Sequence, residues 1–573
     1  MNNLIKDLLI WAGLVVLVIL AILVSRYRFA RFDLTEDKRF TLSETTVELI
    51  QRVEDPLLIT LYLDGEDLPM GFQRLQEETI RMLDEFQALN SNIEYIFVDP
   101  LESPDAQVRR DTYQQLQNAG LGAIAVNTED KRGSREQYLF PGAIASYKDK
   151  EWSINLLQQQ FATTPEAHIN ASIENLEYNL SSALRGLTAT HRPRIALVDG
   201  HGELTSNETE SFENLLGRAY AVQRFNLKEF EVNATDSLPN LQNQLLRLNK
   251  FDLLVIAKPT QTFQAWEQWL LDQYLMNDGR VILMMDAVQA EMDSLSYGPE
   301  FLAYPISGQI GLSDQLFTYG ARVTTSLVQD LVCGGVNDGK AILPWVYFPI
   351  FLPQSQHPIS KNLKKAIRME FGTSIDTIRV AGVNKTPLLF SSPYSKRQPT
   401  PGRVSLATLY SEPDESLFNE GPYPTAVLFE GAIPSHFSNR LLPDAALPEL
   451  IPAANNAKLL VISDGDFIRN QTNKIRPDLP RGLPLPTGYD QFTQQQYGNG
   501  DFILNAIDYM LDEPGLIEVR GRSVILRLLD IPRVERERVK WEVANAIGPI
   551  VLIILFGFGY QFYRRYRFAK RKA

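Results

Sequence analysis

The sequence predicts an α/β protein: two transmembrane helices bracket a thioredoxin-like domain and a flavodoxin-like or Rossmann-like parallel-sheet domain that carries a long insertion. Three observations predict this. Short apolar segments recur at 194–198 (RIALV), 251–257 (FDLLVIA) and 280–285 (RVILMM), each ending in a polar loop and separated by helical patterning. Strands buried on both faces of a parallel sheet read this way. Residues 56–190 follow a different order, βαβαββα. The uncharged stretches 8–24 and 544–562 are each near the length needed to cross a bilayer.

Taken in chain order, residues 1–25 form the N-terminal anchor and 26–55 a membrane-proximal connector, with Ser43 as N-cap of a short helix. The thioredoxin-like unit spans 56–190. Its strands fall at 57–63, 93–99 and 122–126, followed by a hairpin of 137–147 with 151–156; helices fall at 72–89, 105–118 and 165–187. Thioredoxin chemistry needs CxxC after the first strand, where this chain has Asp64-Gly65-Glu66-Asp67, so the fold is expected without thiol chemistry. The parallel-sheet domain covers 191–530, with an insertion near 290–420. Strands at 425–430 and 458–463 read as the far half of the same sheet. A connector at 531–543, the second membrane helix at 544–563 and a basic tail at 564–573 complete the chain.

Topology follows from the flanks. Arg564, Arg565, Arg567, Lys570, Arg571 and Lys572 are cations without an acid among them, a pattern that favours the cytoplasmic side. Both termini are then cytoplasmic, and the large middle lies outside, in the periplasm of an inner-membrane protein. Arg26, Arg28 and Arg31 argue the other way, but long domains translocate largely regardless of charge. A cleavable signal peptide is the alternative reading of the first stretch, though its apolar core is long for one.

Net charge is −13 despite that tail, which disfavours nucleic acid as a partner. The single cysteine, Cys333, permits neither an intramolecular disulfide nor a CxxC site. Five histidines lack ligand spacing, and no phosphate loop, GxSxG, HExxH or GxGxxG occurs. No cofactor, metal or catalytic residue is assigned.

Two loops remain as candidate ligand sites. Asp199-Gly200-His201-Gly202-Glu203 ends a strand where open α/β sheets bind ligands, and His201 with Glu203 could do acid–base work. The alternative is a tight turn. Asp464 and Asp466, on a later strand end, could meet a cation or cap a turn, and Asp286 ends a third strand. In the second membrane helix Gly548, Gly557 and Gly559 would admit a neighbouring helix, or merely accompany Pro549 in a kinked anchor.

Several longer words resemble one family. RFDLTEDKRFTLS (31–43), LLVIAKPT (253–260), LDQYLMNDGRVILMMDAV (271–288), LVQDLVCG (327–334), PWVYFPIF (344–351), HPISKNL (357–363), AVLFEG (426–431) and GNGDFILNAIDYM (498–510) are similar to GldG proteins. These are gliding-associated auxiliary, or substrate-binding, subunits of ABC transporters. Asp278 stands where the family pattern has glycine, at a turn that tolerates Asp. The resemblance implies a non-enzymatic role, a cytoplasmic GldA-like ATPase and a GldF-like permease as partners, and a link to gliding motility. An extracytoplasmic enzyme using His201, Glu203 or the 464–466 acids is the first alternative. An envelope scaffold without a transporter is the second.

Overall fold

The computed structural model describes residues 41–569 except 65–67, 101, 103–104, 131–132, 158–164, 190–191, 218, 232–239, 352–354, 362, 364, 441–446, 448, 478, 512–514, 516–518 and 520–530. The first apolar stretch and the end of the basic tail lie outside the described residues. Those described form a mixed α/β protein whose larger sheet is mainly parallel.

The first domain opens earlier than expected. Ser43 caps the helix Glu44–Gln51, its hydroxyl accepting from the Thr46 amide. Leu49 and Ile50 join the core, and Glu177 accepts from both the Ser43 amide and the Thr46 hydroxyl. Residues 43–53 therefore belong to the domain rather than to a connector, because their apolar face is needed to cover the helix Leu176–Thr188. Strand β1 (Leu57–Leu61) pairs in parallel with β2 (Ile93–Phe97), Leu57 facing Ile93, as the sequence order requires. The expected third strand leaves this sheet: β3 (Ile124–Asp130) pairs with β4 (Gly133–Leu139) in a separate hairpin. Pro141, which lacks an amide proton, marks the break after β4. β5 (Gly142–Tyr147) and β6 (Lys150–Asn155) then complete a sheet of order β2-β1-β5-β6, with β5 antiparallel to both neighbours.

The second domain is built on seven strands. β7 (Arg194–Asp199), β8 (Ala221–Asn226), β9 (Leu253–Ala257) and β10 (Arg280–Met284) run parallel, β9 buried along its whole length. β8 escapes the sequence reading because its alternation, AVQRFN, carries the weak signal of an edge strand. An insertion follows, folded into three small sheets. These contain β11 (Val288–Gln289), β12 (Glu300–Pro305), β13 (Ala321–Asp330), β14 (Cys333–Asn337), β15 (Ile342–Phe351), β16 (Ile367–Arg368) and β17 (Thr373–Thr377). Trp345, Tyr347, Phe348 and Phe371 pack edge-on into its own small core. β18 (Val383–Phe390) returns from the insertion to the main sheet, while β19 (Ser395–Pro399) and β20 (Gly402–Ser405) stay with the small ones.

β21 (Pro424–Gly431) and β22 (Ala457–Ile462) finish the sheet, in the order β18-β21-β22-β10-β9-β7-β8. β22 is parallel to β10, but β21 is antiparallel to β22 and β18 antiparallel to β21. The far half is thus mixed, not parallel. The words at 425–430 and 458–463 are equally apolar, and direction is invisible in composition. Cores lie on both faces, one around Trp269 and Phe429, the other around Phe212, Phe502 and the helix Asn499–Leu511. Asp278 adopts φ +56° in the turn before β10 and accepts from the Asn455 and Asn456 amides, which explains the aspartate at that position.

A separate unit begins after Ser523. Among its described residues it contains one helix, Ile531–Ala569, which runs through both the 531–543 segment expected to be a connector and the start of the tail. Among the described residues it is the one helix long and apolar enough to cross a membrane.

Candidate functional site

The strands β9, β10 and β22 deliver their carboxyl ends to one place. Lys258 follows β9, Asp286 follows β10, and Asp464-Gly465-Asp466 follows β22. Lys258 takes the left-handed conformation, φ +56°, which turns its chain into the cluster. Its ammonium lies 2.5 Å from Asp466 Oδ2, 3.2 Å from Glu291 Oε1 and 3.6 Å from Asp286 Oδ2. Burial opposes its charge, but Asp466 and Asp286 outweigh burial and raise its pKa. The backbone amide of Gly465 donates to Asp286, and Asp464 accepts from the amides of Glu370 and Asp466.

Around this base stands a second ring. Arg469 bridges Glu208 at 2.7 Å and Asp466 at 3.3 Å; Arg368 bridges Asp490 at 2.7 Å and also holds Glu370. Glu208, Glu291, Arg368, Glu370, Asp464, Asp466 and Arg469 line a cleft of about 320 Å³ that also includes Phe371, Phe492 and Gln471.

Sequence reasoning named Asp286, Asp464 and Asp466, and the fold brings all three together. It missed Lys258, Glu291, Arg368, Glu370 and Arg469. Lys258-Pro259 at a strand end was a visible signal; the others come from the insertion and from the loop after β22, whose return to the sheet no local pattern announces. The remaining candidates go elsewhere. Asp199 forms a two-point ion pair with Arg224, both contacts at 2.8 Å. His201 is fully buried, stacked on Phe263 at 3.6 Å, with Nε2 3.0 Å from Glu267 and Nδ1 3.5 Å from Glu203. Its carbonyl accepts from the Thr260 and Gln261 amides. Gly200 and Gly202 both have positive φ, so the turn needs them.

This loop sits at the point where strand order reverses, between β7 and β9, the usual ligand crevice of an open sheet. Here the crevice is filled by the chain's own His201 and Phe263. Burial pulls the His201 pKa down, but its two carboxylate neighbours more than offset that and leave it raised. The opening lies further along the sheet, beyond the end of β22, between the loop that follows that strand and the insertion. Cys333 is half-buried, and burial with Asp330 nearby pushes it up to about 11, so it is a thiol at neutral pH.

Two predictions arise directly. A Cβ on Gly465 would meet Lys258 Cγ at 2.8 Å and Asp286 Oδ2 at 2.9 Å. Gly465→Ala should cost about 1–3 kcal/mol in urea titration, since the crowded partners are an anchored ion cluster. The second concerns pH. Burial, then repulsion from Asp466, raises Asp286 from 3.8 to about 6 despite Lys258. A folded-state pKa above the unfolded one means the native state holds more protons between those values, so stability falls as pH rises across that window. The size is about 1–3 kcal/mol. Asp286→Asn should flatten this slope; an unchanged slope would assign it to another group.

A family profile described as "ABC-type uncharacterized transport system" (ABC_transp_aux) matches residues 192–506, more than half of the 573-residue chain. The chain belongs to this ABC transport auxiliary family. It is therefore an auxiliary component of an ABC-type transport system, and the match spans the parallel sheet and the whole cleft. A domain of unknown function (DUF7088) matches residues 36–146, which agrees with the early start of the first domain. No curated protein matches. Among solved structures, the mmIFT52 N-terminal domain shares 13% identity over 56% of this chain and 97% of its own, with a TM-score of 0.32. A ThuA-like protein from Parabacteroides merdae shares 12% over 59% and 94%, with a TM-score of 0.24.

Proposed function

We propose that this ABC transport auxiliary protein is a non-catalytic, membrane-anchored, substrate-binding-like subunit whose large domain lies outside the cytoplasm, with both termini inside. The observation that carries the reading is the C-terminal helix. Its span Arg536–Arg567 carries a long apolar stretch, none of which is buried against the rest of the protein. So much exposed apolar surface demands lipid or a partner helix. Trp541 lies before the apolar run and Tyr560, Tyr563 and Tyr566 at its far end, all exposed, as aromatic belts at two membrane interfaces would be. The stretch at 8–24 supplies the second crossing on this reading.

A thioredoxin-like arrangement of 56–190 fits the order β2-β1-β5-β6, without CxxC. Non-catalysis is supported by family membership and by the cluster itself: its lysine and arginines are held by carboxylates. Energy then comes from a GldA-like ATPase through a GldF-like permease, and the GldG resemblance ties the complex to gliding.

Co-purification from detergent tests the assembly. Replacing Gly557 and Gly559 by leucine should release the permease while the soluble domains stay folded. Both glycines have open space around them, so leucine fits the isolated helix. Retention of the permease would place assembly elsewhere. Reporter fusions after Ala573 and within 290–300 should report opposite compartments; one shared compartment would overturn the orientation.

A further inference from the structure

We propose that His201 is a pH-released plug: as an imidazolium held between Glu203 and Glu267 it keeps the crevice between β7 and β9 closed, and on losing its proton it lets that crevice open. The inference goes beyond the assembly reading above and does not involve the membrane helix.

The geometry itself asks for the proton. The ring nitrogens each face a carboxylate oxygen, Nδ1 at 3.5 Å from Glu203 and Nε2 at 3.0 Å from Glu267. A neutral imidazole carries one N–H, so in either tautomer one nitrogen would turn a lone pair toward an acceptor; only the imidazolium attracts both. Neither contact has the alignment of a hydrogen bond, so charge is what holds the three groups together. The glutamate side chains are 2% and 0% exposed, and among the described residues no other cation lies within 4 Å of either. Both are fixed by their other oxygen, Glu203 accepting from the His201 amide and Glu267 from the Gln264 amide, each at 2.6 Å. The charges facing the ring come from two elements: its own loop brings Glu203, and the helix Ala265–Met276 brings Glu267. The 259–264 loop and the 307–312 turn of the insertion contain no charged residue. Lys228, after β8, reaches Gly200 and Gln261.

The same residues strap the crevice shut. The His201 carbonyl accepts from the Thr260 and Gln261 amides, its ring stacks on Phe263, and the Phe263 amide donates to Ile310 in the insertion. Three segments distant in sequence thus meet over the place where open sheets bind ligands, and the triad is their ionic clasp. The sign of the switch follows from linkage. Burial lowers the His201 pKa, the two carboxylates outweigh burial, and the folded value lies above 6.5. The triad's stabilisation is therefore complete below the unfolded pKa and is lost as pH rises through the folded one. Deprotonation leaves two buried carboxylates without a counter-ion, which favours parting of the loops so that water can reach them.

Hydrogen exchange read by mass spectrometry tests this on the full-length, detergent-solubilised protein between about pH 6 and about pH 9, with the intrinsic pH dependence of exchange divided out. Peptides covering 199–205 and 258–264 should lose protection about fivefold or more as pH rises, while peptides from β9 keep theirs. Glu203→Gln removes one negative charge at nearly constant shape, which lowers the histidine pKa and should move the midpoint of the loss to lower pH. Glu267→Gln should do the same, and each variant covers the other should one fail to fold. A purely structural role would lower protection in the variants without moving the midpoint. The inference is overturned if these peptides lose no more protection than those of β9, if the loss comes as pH falls, or if the midpoint stays in place in the glutamine variants that fold.

Discussion

Lys258→Met is expected to lower stability by about 3 kcal/mol, the cost of stranding partly buried carboxylates by removing their shared partner. The side chain is 9% exposed and within 4 Å of Asp286, Glu291 and Asp466. Methionine fills a similar volume, so the loss isolates the charge. The deficit should also depend on pH. Without the ammonium the Asp286 pKa, already raised by burial, rises further, the native state takes up a proton as pH falls, and the variant recovers toward the parent below about pH 5. Urea titrations at pH 5 and pH 8 would show it. An equal deficit at both would mean that packing, not charge, is what the lysine contributes.

The second large effect lies at Asp508, on the helix Asn499–Leu511. It is 1% exposed, accepts from Tyr178 at 3.0 Å and from Tyr220, and lies 3.6 Å from Arg185. Tyr178 and Arg185 belong to the first domain, Tyr220 and Asp508 to the second. Burial and the Asp508 charge together raise the Tyr220 pKa well above its usual value, so that phenol donates throughout the physiological range. Asp508→Ala leaves two phenols and a half-buried guanidinium without their common acceptor, at a cost of about 3 kcal/mol. The expected signature is a calorimetric trace that splits into two transitions. A single transition moved down in temperature would mean that the domains remain coupled through other contacts.

Much of the fold was legible because burial leaves marks in composition. RIALV, LLVIA and RVILM are strands with no solvent-facing side, and each was found. β8 was missed for the converse reason: an edge strand that carries polar Gln223, Arg224 and Asn226 among its six residues resembles a loop. The direction of β21 could not be read, since antiparallel and parallel pairing bury the same side chains. The site divides along the same line. Asp286, Asp464 and Asp466 were found because each directly follows an apolar strand. Arg368 and Glu370 are distant in sequence and arrive only because the insertion folds back over the strand ends. His201 lies at a strand end, as its place in the sequence suggests, but Glu267, 66 residues on in the helix Ala265–Met276, and the stacked Phe263 hold it inside the protein.

The unbroken helix Ile531–Ala569 has a mechanical consequence. At ~1.5 Å per residue its 39 residues reach ~58 Å, nearly twice the hydrocarbon thickness of a bilayer. Pro549 removes one backbone hydrogen bond within it, and its ring makes this the position where a bend falls. A tilt imposed on one end is therefore expected to reach the other through that point, so motion, rather than any diffusible signal, can be the message carried along it.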